Sequence, residues 1–195
     1  MYDQAYKDIG KGLRMVFFGQ LFAVLSAFLS GIGSILALVS LVLTLIGLSS
    51  AGRGDSGYRT AFSITIVNLA VTFAASLVLV IAIYVIPSLS GIFAALLTVV
   101  SSVLGFLAVY YVCTTSSALL EDREMALSMR AAAVWKLYGA CIAVTVVCGL
   151  LALLPFTAAL VLAGGISLLA SIVQAVAGVL YMLFLYRASE VFQNW

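Results

Sequence analysis

Between residues 60 and 120 no side chain is charged, and the apolar run breaks only once, at Pro87-Ser88-Leu89-Ser90-Gly91. Each side of that break is long enough to cross the ~30 Å hydrocarbon layer of a bilayer. Unpaired backbone amides are too costly in hydrocarbon for open strands or loops, so the stretch predicts two transmembrane helices joined by a tight turn. The layout recurs on both sides. Residues 15–30 and 32–50 form an earlier pair around the glycine- and serine-rich turn at 30–34, and residues 131–154 and 157–186 a later pair around Pro155. The pattern predicts an all-α integral membrane protein with six transmembrane helices as three consecutive hairpins, 11–50, 60–114 and 131–186. They belong to one membrane domain over 1–195, with polar loops at 51–59 and 115–130.

Ahead of the first span, Tyr2, Tyr6, Ile9 and Leu13 recur at helical spacing. This predicts either an amphipathic helix lying in the interface or a helical lead-in to the span. The apolar stretch that follows is far longer than the ~7–15 residues of a signal-peptide core and is read as retained.

Charge adds orientation. Every Lys and Arg falls in the N-terminal segment, the loops after spans two and four, the start of span five or the C-terminal tail, which six spans would place on one side. The excess of basic residues beside short loops then predicts both termini in the cytoplasm, with the chain in a plasma membrane. Tyr58, Tyr110, Tyr111, Trp135, Tyr138 and Tyr186 lie near the same side and are expected to form an interfacial aromatic belt. The openings Lys11-Gly12-Leu13-Arg14, Tyr58-Arg59-Thr60 and Met129-Arg130-Ala131 start each hairpin with a basic residue, a weak internal repeat. In architecture alone the layout resembles small membrane proteins built from helical hairpins.

Composition narrows the chemistry. The chain is 65% hydrophobic and 8% charged, against about 25% charged residues in soluble domains, so a water-soluble fold is excluded. A net charge of +2, scattered along the chain, argues against a nucleic-acid partner. Histidine is absent, which removes the commonest general base and the usual haem and copper ligands. Cys141 and Cys148 lie ~10 Å apart along one helix, too far for a disulfide, and with Cys113 they read as small hydrophobes. No metal or other cofactor is expected.

Small and hydroxyl residues run along the spans at regular spacing. Gly33, Ala37, Ser40, Thr44 and Gly47 mark span two; Gly164, Ser167, Ser171, Gln174 and Gly178 mark span six. Thr65, Asn68, Thr72 and Ser76 mark span three, and Thr98, Ser101, Ser102 and Gly105 span four. Helix packing is the default reading of such seams. The amides are less ordinary, because a polar group in hydrocarbon must find a partner. Gln20, Asn68 and Gln174, with Thr72, are the candidate intramembrane polar site. No Asp, Glu, Lys or Arg occupies the middle of any span, so coupling through buried carboxylates and voltage sensing through arginines have no residues to use.

No Ser–His pair or buried Asp pair exists for hydrolysis, so no enzyme is expected. Glu121, Asp122, Arg123 and Glu124 form the most polar cluster and are the candidate cytoplasmic face for a partner. Arg53-Gly54-Asp55 resembles the integrin-binding tripeptide, but three residues in a predicted cytoplasmic loop carry little weight. Two functions follow. The first is a non-catalytic membrane subunit or scaffold, self-associated or in a membrane complex, that presents its loops to a partner. The alternative is a channel, facilitator or transport subunit for a small neutral or apolar solute.

Overall fold

The computed structural model describes residues 2–29, 31–85, 87–121, 124–151 and 157–194, and it is all helical over them. Six helices follow in order: α1 (Tyr2–Phe28), α2 (Gly33–Ala51), α3 (Ser56–Val85), α4 (Pro87–Leu120), α5 (Met125–Leu151) and α6 (Thr157–Gln193). All six are long and apolar enough to span a membrane. At 1.5 Å per residue α3 is ~45 Å long and α6 ~55 Å, so both exceed the hydrocarbon thickness. The predicted turn residues Ser30, Pro155 and Phe156, like Asp122 and Arg123 of the acidic cluster, lie outside the described residues.

The N-terminal segment is no separate interfacial element. α1 runs unbroken from Tyr2, so the lead-in reading holds. The helix ends near Gly31, whose φ of 104° is accessible to glycine at little cost and reverses the chain into α2. The next connection is short and tightly held. Asp55 accepts a hydrogen bond from the backbone N–H of Gly57 at 2.7 Å, capping α3. Gly54 lies so close to α1 that a Cβ there would sit 2.6 Å from Ile9 Cγ1. The Arg53-Gly54-Asp55 tripeptide is thus explained by a turn and a cap.

Neighbours in sequence pack against each other, and α1 packs against α6, so the contacting pairs form a closed ring. Its core lies at one end. Ile9, Leu13 and Val16 of α1 share a buried cluster with Phe184, Leu185, Ala188 and Phe192 of α6, joined among others by Leu48, Ala51, Tyr58, Val112, Cys113 and, from α5, Leu127, Ala131 and Val134. The contacts at that end join the start of α1 to the ends of α2 and α6, the start of α3 to the end of α4, and the end of α4 to the start of α5. Every described Lys and Arg belongs to those segments or the turns beside them. Away from it, Phe28, Leu38, Phe73, Ile81, Tyr84 and Ile172 stand exposed, an apolar surface that only an apolar surrounding makes inexpensive.

Backbone-to-backbone contact through small residues brings α1 and α2 together. A Cβ on Gly12 would lie 2.5 Å from the Gly47 carbonyl oxygen and 2.7 Å from the Ala51 nitrogen, and one on Gly47 2.6 Å from the Gly12 oxygen. Two turns further in, Gly19 lies against the Thr44 side chain and the backbone of Ser40 and Thr44. The seam expected on span two is therefore a packing surface at Ser40, Thr44 and Gly47, and its counterpart on α1 is Gly12 and Gly19.

Tyr58 departs from the expected aromatic belt. It is fully buried, and its hydroxyl shares a 2.7 Å hydrogen bond with Ser116 Oγ, a link between α3 and α4 inside the core. Buried tyrosine needs such a partner, and Ser116 is the one that the packing of α3 on α4 provides. Trp135 and Tyr110 do pair at the rim, edge to face at 5.1 Å, with the Lys136 ammonium 5.8 Å from the Trp135 ring.

Candidate functional site

Within the ring lies a part-open cavity of about 220 Å³ to which all six helices contribute. Its polar lining consists of Gln20 from α1, Thr44 from α2, Thr65 and Asn68 from α3, and the tyrosines Tyr138 and Tyr181 from α5 and α6. Counting along the helices from the basic residues Arg14, Arg59 and Arg187, Gln20, Asn68 and Gly178 lie ~9–14 Å inward, close to the middle of a ~30 Å hydrocarbon layer.

Two glycines make the space. A Cβ built on Gly105 or Gly178 would meet nothing within 4 Å, and both residues line the cavity. The sequence placed them in packing seams; the structure corrects this, since neither touches an opposing helix there. Gly12, Gly19 and Gly47 bring helices together, whereas Gly105 and Gly178 clear a volume between them.

On the side of the charged end the cavity closes on Val16, Leu48, Val112 and Tyr181, all buried. One helical turn beyond Val112 lies Ser116, with its hydrogen bond to Tyr58. This layer separates the cavity from the charged face.

The hydroxyl stripes are mostly satisfied within their own helices. Thr65 donates to the Ala61 carbonyl at 2.8 Å, Ser76 to Thr72 at 2.7 Å and Thr98 to Ala94 at 2.9 Å. Such i−4 bonds spare a hydroxyl from needing a partner across the interface. Asn68 differs: its Oδ1 is buried and has no hydrogen-bond partner among the described residues. A buried, unpaired acceptor costs ~1–3 kcal/mol, so a native site that retains one calls for an explanation.

The four residues of the sequence-derived polar site therefore part company. Gln20 and Asn68 share the cavity wall. Thr72 lies one turn further along α3 and is paired with Ser101 of α4, Oγ1 to Oγ at 3.1 Å, so it ties two helices together. Gln174 is half-buried on α6 and is no part of the lining. Tyr138, Tyr181, Gly105 and Gly178 were not assigned to the site from sequence. Glycines four or more residues from any turn, in spans otherwise rich in Val and Leu, were the available signal.

Of the charged cluster, Glu121 and Glu124 are exposed at the α4–α5 connection, and the Glu124 carbonyl accepts the first bonds of α5 from Leu127 and Ser128. Cys113, Cys141 and Cys148 are buried free thiols. No group of three His, Cys, Asp or Glu side chains comes together among the described residues. Compared with known proteins, the chain matches no family model, no curated protein and no solved structure.

Proposed function

We propose that the protein is a non-catalytic transport protein of the plasma membrane that binds a small, uncharged solute carrying a hydrogen-bond donor. The observation that carries the reading is the unpartnered Asn68 Oδ1 in a cavity to which every helix contributes. A cavity of ~150 Å³ is enough for a benzene-sized molecule, and drug-sized ligands need ~300 Å³ or more, so 220 Å³ supports a solute of several heavy atoms. An acceptor with no partner favours a solute hydroxyl or amide N–H over a purely apolar molecule. With no ionisable side chain in the cavity wall except two tyrosines, a charged solute would have no counter-ion to offset its desolvation.

The scaffold reading draws less support. The 52–55 connection is folded onto α1 and spent on capping α3, which leaves little of it free to present to a partner.

Reconstituted liposomes test the proposal, with glycerol, urea and acetamide as probes. Uptake is expected in the native protein and is expected to fall at least tenfold in Asn68→Leu and in Gly178→Leu, whose side chain would grow into the cavity. Equal uptake by both variants and the native chain, or no uptake above empty liposomes, refutes it.

The same reading sets both termini, the 52–55 connection and the 121–124 connection in the cytoplasm, supported by the gathering of basic residues at one end. Single cysteines at Ser49 and Ser34, in a background with Cys113, Cys141 and Cys148 replaced, place the two ends. A membrane-impermeant thiol reagent added outside intact cells should label position 34 and spare position 49; the reverse result inverts the orientation.

A further inference from the structure

The groove between α5 and α6 at the charged end has a second, chemically graded site on its outer face. Its inner part, about 320 Å³, runs along Ala133, Leu137, Leu180 and Leu183 and ends at Arg130 and Arg187. Its outer part, about 460 Å³, begins at the same two arginines and continues to Glu124, Glu190 and Asn194. The helices run in opposite directions along it, so depth is counted from Arg130 on one and from Arg187 on the other. Leu137 and Leu180 each lie seven residues inward of their arginine, ~10 Å. Glu190 lies one turn outward of Arg187, ~4.5 Å, and Glu124 two turns outward of Arg130, ~9 Å. Apolar wall, two arginines and two glutamates, the glutamates a turn apart in depth, thus succeed one another along the axis.

A glycerophospholipid with an amine headgroup has this order: acyl chain, phosphate, ammonium. We propose that the α5–α6 groove is a binding site for a phospholipid whose headgroup ends in a primary ammonium, of the phosphatidylethanolamine type. An acyl chain lies along Ala133 and Leu183, both exposed to the surrounding hydrocarbon. The phosphate sits between Arg130 and Arg187, whose planar forks suit its oxygens. The ammonium donates to Glu124 and Glu190, acceptors that an anionic headgroup would find repulsive.

A different basic surface makes the contrast. Lys7, Lys11 and Arg14 line a pocket with Met15, Phe18 and Gln193, and no carboxylate is among its lining residues. The α5–α6 groove is the bipolar one, and its selectivity does not depend on what the central cavity binds.

The test uses the full chain in mild detergent, titrated with phosphatidylethanolamine, phosphatidylcholine and phosphatidylglycerol of identical acyl chains and read by intact-complex mass spectrometry. Phosphatidylethanolamine is expected to bind on the order of tenfold tighter than the other two, because its ammonium both donates to the carboxylates and opposes their charge, whereas a quaternary ammonium has no N–H to donate and a glycerol donates only from neutral hydroxyls. Glu124→Gln with Glu190→Gln should turn the preference toward phosphatidylglycerol, and Ala133→Leu, which fills the groove without changing a charge, should weaken all three. Lys7→Gln with Lys11→Gln should leave the preference as it was. Equal binding of the three lipids by the native chain overturns the assignment. So does a preference for phosphatidylethanolamine that survives the double Glu variant, or one that the Lys variant abolishes.

Discussion

Placing the same methyl group on two glycines gives opposite outcomes if α1 and α2 meet through backbone while Gly178 borders open space. In Gly12→Ala the new Cβ would lie 2.5 Å from the Gly47 oxygen, 2.7 Å from the Ala51 nitrogen and 2.9 Å from Ala51 Cβ. Two of the three are backbone atoms of α2 and cannot rotate away, so the helices must separate by ~0.5–1 Å to restore contact distances of ~3.5 Å. A gap of that size forfeits a quarter to a half of the dispersion energy along the seam, and overpacking of this kind costs ~1–3 kcal/mol. Against it stands the ~0.5–1 kcal/mol that Ala gains over Gly in a helix interior. Gly12→Ala should therefore destabilise by ~1–2 kcal/mol. In Gly178→Ala the methyl meets nothing within 4 Å, so only the gain remains. That variant should be neutral to ~1 kcal/mol more stable. Unfolding by sodium dodecyl sulfate in mixed micelles, followed by circular dichroism, measures both. The separation of ~1–3 kcal/mol between the variants is the quantity of interest. Shifts of the same sign and size would show that the α1–α2 seam is no tighter than the cavity wall and would remove the distinction on which the site rests.

Two further outcomes follow from buried polar groups. Tyr58→Phe leaves Ser116 Oγ without its cross-helix partner and should cost ~1 kcal/mol, at the low end because the serine can turn back to its own helix; adding Ser116→Ala should recover most of the loss, and strictly additive effects in the double-mutant cycle would deny the bond. Asn68→Leu removes an unpaired buried acceptor and should leave the fold as stable or up to ~1–3 kcal/mol more stable while solute uptake is lost, so a variant that fails to fold would mean that the amide is structural.

Much of this molecule was legible from one dimension. Run lengths of apolar residues specify helices that can cross a membrane, because hydrocarbon leaves the backbone no other way to satisfy its hydrogen bonds. The clustering of Lys and Arg in alternate connections likewise needs no structure, since an ionised side chain has few tolerable places in a span. The facing of each helix was not legible. In water the buried side of a helix is written as a periodic apolar stripe, but in lipid both the interior and the surroundings accept Val and Leu, and α3, α4 and α6 carry apolar residues on every side with no single stripe to mark the buried face. Gly47 and Gly105 therefore look alike in sequence, though one is pressed against a neighbouring backbone and the other opens a cavity. For the same reason Tyr58 read as an interfacial residue and proved to be core. Gln20 and Asn68, 48 positions apart, meet at one cavity only because the six helices close into a ring, while Thr72, a single turn from Asn68, is turned to Ser101. Sequence by itself determined the solvent of this chain, its element count and the position of its charges, all properties of segments. The tertiary structure alone decided which polar atoms are answered and which is left open, because that depends on how each helix is rotated about its own axis.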